Sequence, residues 1–268
     1  MYFTILAFVG IASSLVWYLL KHDHGRKLPV STLWYACGFG VLAMIVASVL
    51  ELLILPKQFT TIPAAYPLLT QLKYFLSIGL IEEAAKFLPL ALFIYKRSYF
   101  REHTDGCIYF AICGLAFGLG ENILYTLSFG AEVGIARLLL TPFFHAATTS
   151  ILGYYLVSQK LRPERRKLFV LACVLVPLVH GLYDFGLGAG IAQLQVLSLM
   201  LTLLLTMGLF LYFMQANALD RLALARVPMG LVANHSQAGP QSAANFCGTC
   251  GRSNMKHQPY CEYCGRKL

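Results

Sequence analysis

The chain has 268 residues, of which 58% are hydrophobic and only 12% charged, with a mean hydropathy of +0.65. A soluble domain carries about 25% charged residues, so this composition excludes an ordinary soluble enzyme and indicates an all-α polytopic membrane protein. The net charge of +9 does not indicate nucleic-acid binding, because most basic residues flank hydrophobic runs, where they act as topology signals.

Taken in order, apolar runs predict seven transmembrane helices at about 2–20, 33–55, 72–95, 107–129, 135–158, 168–187 and 192–214. The first run opens at the first residue and is followed by charge, so it reads as a retained span and not a cleaved signal. Lys21, Arg26 and Lys27 follow the first run, Lys96, Arg97 and Arg101 the third, Lys160 to Lys167 the fifth, and Arg221 and Arg226 the seventh. Basic residues thus gather on alternate loops. The positive-inside rule then puts the N-terminus outside and the C-terminus in the cytoplasm of a plasma (inner) membrane. The Pro-containing connection with Pro56, Pro63 and Pro67 leaves the count open by one, should it dip into the membrane. Cys37, Cys107, Cys113 and Cys173 are scattered through apolar runs and read as inert core residues.

Three units follow: a helical bundle over 1–226, a linker over 227–245 rich in Gly, Pro, Ser, Gln, Asn and Ala, and a small module over 246–268. The module reads Cys247-Gly-Thr-Cys250, ten residues, then Cys261-Glu-Tyr-Cys264. Two thiolates from each of two tight turns complete a closed tetrahedral zinc site, the pattern of a zinc ribbon with a structural Zn ion. So few residues bury little core, so metal binding is expected to drive folding. A cytoplasmic location disfavours two disulfides. The module's basic residues, Arg252, Lys256, Arg266 and Lys267, suit contact with a protein, nucleic acid or lipid headgroups, and spacing does not choose among them; a cytoplasmic protein is the expected partner, ahead of nucleic acid.

Ionisable groups inside the spans are the functional signal. A charged side chain at a helix centre costs about 2.5–3.5 kcal/mol to insert, so partners or a wet cavity must compensate. The third run places Glu82, Glu83 and Lys86 at its midpoint, where the three- and four-residue spacings let all three meet on one side. The fourth carries Glu121 and Asn122 after Gly114, Gly118 and Gly120, small residues that let a neighbouring helix approach. The fifth carries His145 with Thr148 and Thr149 a turn away. The sixth carries His180 and Asp184, four apart, where a carboxylate can fix the imidazole tautomer. Glu51 and Arg137 lie near the outer ends of their spans and read as structural, by snorkelling or by pairing across the bundle. Two adjacent carboxylates, further carboxylates and two histidines form a proton-transfer or metal site.

Glu82-Glu83-Ala-Ala-Lys86, Phe117 to Glu121-Asn122, His145, and His180 to Asp184, in this order on four successive spans, resemble the PrsW family of intramembrane proteases, within the broader group that includes the CAAX prenyl proteases. The resemblance covers about 73–185, without the first spans or the C-terminal module. It implies hydrolysis of peptide bonds in membrane-anchored proteins, with regulatory substrates such as anti-sigma factors. The CAAX relatives have histidine where Glu121 stands and asparagine where Asp184 stands, so roles are not carried over from them.

Peptide hydrolysis needs an activated water, stabilisation of the oxyanion and a proton for the leaving amine. Glu82 is expected as general base, with Glu83 held by Lys86, His145 and His180 polarising the carbonyl or binding a metal, and Asp184 and Asn122 orienting them. A zinc ion held by His145, His180 and a glutamate ranks second, because no HExxH is present. A different class also fits the residues: a transporter or non-catalytic receptor with a buried polar network and the zinc ribbon as its signalling end.

Overall fold

The structure is a computed structural model that describes residues 2–55, 66–97, 99–138, 140–225, 245–246 and 253–254. Its elements are α1 (Tyr2–Lys21), α2 (Val30–Ile54), α3 (Leu68–Phe93), α4 (His103–Phe129), α5 (Ala131–Leu138), α6 (Thr141–Leu161), α7 (Arg166–Gly188) and α8 (Ala192–Ala225). A short 3-10 turn, Pro163–Arg165, leads into α7. Strands β1 (Asn245–Phe246) and β2 (Ser253–Asn254) pair antiparallel, Asn245 opposite Asn254 and Phe246 opposite Ser253. Cys247, Cys250, Cys261 and Cys264 lie outside the described residues, as does the Pro-rich connection at 56–65.

Four helices among the described residues are long and apolar enough to cross a membrane: Val30–Ile54, His103–Phe129, Pro163–Gly188 and Ala192–Ala223. The chain is an all-α membrane protein. The outward faces of α2, α7 and α8 are lined by exposed aliphatic residues such as Leu53, Leu171, Val174, Leu203 and Leu204, which suit lipid and not water. α1 contributes a shorter apolar stretch, Leu6–Lys21.

The helix α4 runs through the middle. From His103 to Gly118 every residue is buried, and α6 packs along one side with α2 along another. Close crossings depend on glycine. A Cβ on Gly114 would run into the carbonyl of His145, and one on Gly79 of α3 into the backbone of Pro177 and Gly181 on α7. Both crossings sit at the level of the buried charges.

Two element boundaries differ from those expected. The fifth run is not one helix, because α5 ends at Leu138 and α6 begins at Thr141 with Pro142 in its first turn. Proline has no N–H to give an upstream turn but suits a helix start, so it separates the two helices. The last helix continues past 214 to Ala225 because its polar end has a partner. Asp220 accepts from the backbone N–H of His103 (3.0 Å) and Thr104 (2.9 Å) and from the His103 ring (2.8 Å), capping α4 from another helix. Glu102 and Asp105 add a reciprocal capping box at the same turn.

The four scattered cysteines are free thiols; Cys107 and Cys113 are buried, Cys37 and Cys173 partly so.

Candidate active site

Glu82, Glu83 and Lys86 share one side of α3 and all three are buried, Lys86 completely. The Lys86 ammonium lies 2.8 Å from Glu83 Oε1 and 3.6 Å from Glu82 Oε2, and sits over the Phe117 ring at 4.3 Å. Its third partner comes from another helix, His145 Nδ1 on α6 at 3.0 Å.

Glu83 Oε1 is a meeting point for three donors. It accepts from Lys86, from Thr148 Oγ1 at 3.0 Å and from His180 Nδ1 at 2.7 Å. An acceptor-only carboxylate satisfies all three, so Glu83 joins α3, α6 and α7 at one atom. Glu121 on α4 does the same for the other ring: its Oε2 lies 2.8 Å from His145 Nε2.

These contacts assign the tautomers. Glu121 takes the Nε2 hydrogen of His145, which leaves Nδ1 to accept from Lys86. Glu83 takes the Nδ1 hydrogen of His180, which leaves its Nε2 with a lone pair. That Nε2 lies 3.4 Å from Glu82 Oε2, and neither atom makes a hydrogen bond. Asp184 Oδ2 lies 3.5 Å from the same nitrogen, with its side chain 23% exposed against 8% for Glu82. Phe144 presses its edge against both imidazoles, at 5.1 Å from His180 and 5.7 Å from His145. A Cβ on Gly118 would strike the His145 ring.

The structure therefore brings Glu82, Glu83, Lys86, Glu121, His145, His180 and Asp184 together from four helices. Asn122 stands apart from the histidines. Its carboxamide oxygen accepts from Arg137 Nε at 3.1 Å and its NH2 faces the Arg137 carbonyl at 3.4 Å. Arg137 pairs with the preceding helix, its terminal nitrogen 2.6 Å from Glu121 Oε1 on α4. Thr148 enters as a donor to Glu83; its spacing one turn after His145 was the sequence signal. Glu51 Oε1 on α2 is buried without a hydrogen bond.

Glu82, His145 and His180 each offer one ligand atom, all within 4.8 Å of one another. Two features of the site fit a metal ion. Two of the donors, Glu82 Oε2 and His180 Nε2, are buried with no hydrogen-bond partner. Each imidazole also has its other nitrogen held by a carboxylate, the arrangement usual around metal-bound histidines. Two nitrogens and one oxygen leave a position open for water or substrate.

An apolar helical bundle enclosing a carboxylate–imidazole centre of this kind defines a membrane protein with a buried polar site that could hold a metal ion. Residues 28–213 match the family described as PrsW family intramembrane metalloprotease. The chain belongs to this family of peptidases. It is 32% identical to Protease PrsW of Geobacillus kaustophilus over 69% of this chain and 80% of that protein. With Protease PrsW of Shouchella clausii the identity is 29%, over 69% and 83%. With that of Bacillus subtilis it is 39% over 43% and 54%. No solved structure matches the chain. The matched span is wider than the motif-bearing 73–185, for it takes in α2 and most of α8 and leaves out α1 and the C-terminal segment.

Proposed function

We propose that the protein is an intramembrane metallopeptidase that hydrolyses peptide bonds in membrane-anchored proteins, regulatory proteins among them. The observation that carries this reading is the pair of buried atoms that make no hydrogen bond, Glu82 Oε2 and His180 Nε2, next to His145. Glu82, His145 and His180 would hold the ion, for which zinc suits the donor set. When bound, such an ion acidifies water and polarises the scissile carbonyl.

The chain's own groups supply the rest. Glu83 and Glu121 hold the outer nitrogens of the two rings, so both inner nitrogens face Glu82. This reading moves Glu82 from the general base expected from sequence to a ligand. Proton transfer falls to Asp184, the carboxylate beside His180 Nε2 that is exposed enough to meet water and a peptide. Lys86 donates to His145 Nδ1 and is the cation that competes with a metal for that nitrogen. Phe144 and Phe117 shield the rings and the ammonium.

Seven spans, an outside N-terminus and a cytoplasmic C-terminus follow from the charge pattern of the loops, with α1, α3 and α6 joining the four qualifying helices. The site then lies at middle to outer depth, and cleavage falls toward the extracytoplasmic side. Cys247, Cys250, Cys261 and Cys264 are assigned to a structural zinc ribbon that binds a cytoplasmic protein. The antiparallel pairing of β1 with β2, on either side of the first Cys pair in the sequence, supports this assignment.

The test is co-expression of a tagged single-pass substrate with wild type, Glu82→Gln and His180→Ala. The expected result is loss of the cleaved fragment at equal enzyme level. Undiminished processing by both variants discards the reading.

A further inference from the structure

Arg137 lies on α5, outside the four helices that carry the site, yet its side chain reaches back to two adjacent residues of α4. Its terminal nitrogen meets Glu121 Oε1 at 2.6 Å and its Nε meets Asn122 Oδ1 at 3.1 Å. Its backbone carbonyl faces the Asn122 amide at 3.4 Å, and its guanidinium lies 3.9 Å over the Tyr125 ring. Only a planar fork makes both side-chain bonds at once; a lysine ammonium is a point charge and satisfies one direction. The Glu121-Asn122 pair is thus a receptor for one guanidinium.

The second oxygen of that glutamate is the one on His145 Nε2, at 2.8 Å. The contacts form a single line: Arg137 to Glu121 Oε1, Glu121 Oε2 to His145 Nε2, and His145 Nδ1 turned toward Glu82 Oε2 at 4.0 Å.

We propose that Arg137 is a positioning residue for peptide hydrolysis, fixing the Glu121 carboxylate so that His145 presents Nδ1, and not Nε2, to the centre. The proposal rests on the peptidase site described above. Without the guanidinium, Glu121 loses its only cationic partner among the described residues and is free to turn away from the ring. His145 then loses the bond that sets its tautomer. Asn122 serves the same end by holding Arg137 at both its side chain and its backbone.

The test uses the full chain purified in detergent with a peptide-linked fluorogenic substrate. Wild type is compared with Arg137→Gln, Arg137→Lys, Glu121→Gln and the double variant Arg137→Gln/Glu121→Gln. For Arg137→Gln, kcat should fall about 10- to 100-fold, the usual size of effect for groups that orient metal-site histidines, with KM changed less than about twofold. Zinc retained per chain after dialysis at limiting zinc should fall as well. Arg137→Lys should give an intermediate kcat with an unchanged melting temperature, and this variant carries the test if Arg137→Gln does not fold. The double variant should be no slower than Glu121→Gln alone, since both changes break one line of contacts.

Rate losses that multiply in the double variant overturn the proposal. So does a wild-type kcat and zinc content in Arg137→Lys, or an activity loss that only tracks the folded fraction. Glu82→Gln is run beside them: if it cleaves normally, the peptidase site itself is wrong. If it is dead while both Arg137 variants match wild type, only the role of Arg137 fails.

Discussion

Replacing Lys86 by methionine asks whether the buried charges are a balanced set. Lys86 has no exposed surface, and its ammonium touches two carboxylates, at 2.8 and 3.6 Å, and an imidazole nitrogen at 3.0 Å. Methionine fills much of the same volume over Phe117 but removes the charge that two buried glutamates share. Breaking a buried pair from one side costs about 3–5 kcal/mol, because the partner is left uncompensated. Against a total stability of about 5–15 kcal/mol, that is enough to lower the accumulated protein sharply. Removing charge from both sides is far milder, so Lys86→Met with Glu83→Gln should recover about half of the loss or more. The Thr148 and His180 donors to Glu83 keep an acceptor in the amide oxygen. The assay is the folded, monodisperse fraction on size-exclusion chromatography after a temperature ramp, for wild type, each single variant and the pair. If Lys86→Met melts with wild type, or the double variant is worse than the sum of the singles, the balanced-charge account is wrong.

Three further outcomes are expected. Gly118→Ala presses a methyl against the His145 ring and should cut cleavage at least tenfold while leaving protein level near normal; cleavage assays normalised to immunoblot decide it. Asp220→Ala removes the acceptor for two backbone amides of α4 and should cost about 1–2 kcal/mol, read as a lower melting temperature. Asp23, in the loop after α1, has its pKa raised to about 6, first by burial and then by the nearby Glu102 charge. The folded state therefore holds its proton more tightly than the unfolded state, and Asp23 favours folding below pH 3.8 relative to pH 6 and above. Asp23→Asn should then raise stability at pH 7.5 by about 1 kcal/mol after discounting for partial solvent screening, with a several-fold smaller gain at pH 4. Equal melting shifts at both pH values would count against it.

Contacts set by one helix's own geometry were legible in the sequence. Glu83 and Lys86 meet at 2.8 Å, and His180 and Asp184 approach to 3.5 Å, as their three- and four-residue spacings require. Motif order also pointed to the site's membership, because each ionisable group is too costly in lipid to stand alone. Contacts that depend on how helices rotate against each other were not legible. Asn122 was expected to orient a histidine, but it faces α5 and holds Arg137, while its neighbour Glu121 turns to His145. Arg137 read as structural because nothing in its own segment shows what lies sixteen residues back across a turn. The break before Pro142 was hidden inside a continuous apolar run. The extension of α8 was hidden because Asp220 finds its acceptor role only once α4 begins beside it.

The crossing of α3 and α7 carries one more implication. Gly79 lies one turn before Glu82 and Gly181 directly follows His180, and at that point main chain meets main chain. The separation between acid and imidazole is therefore gauged by peptide groups and not by side chains that can change rotamer. Loosening elsewhere in the bundle, by heat or by substitution on the lipid-facing surface, leaves this gauge intact until the two backbones part, so activity should fail abruptly and not by gradual drift.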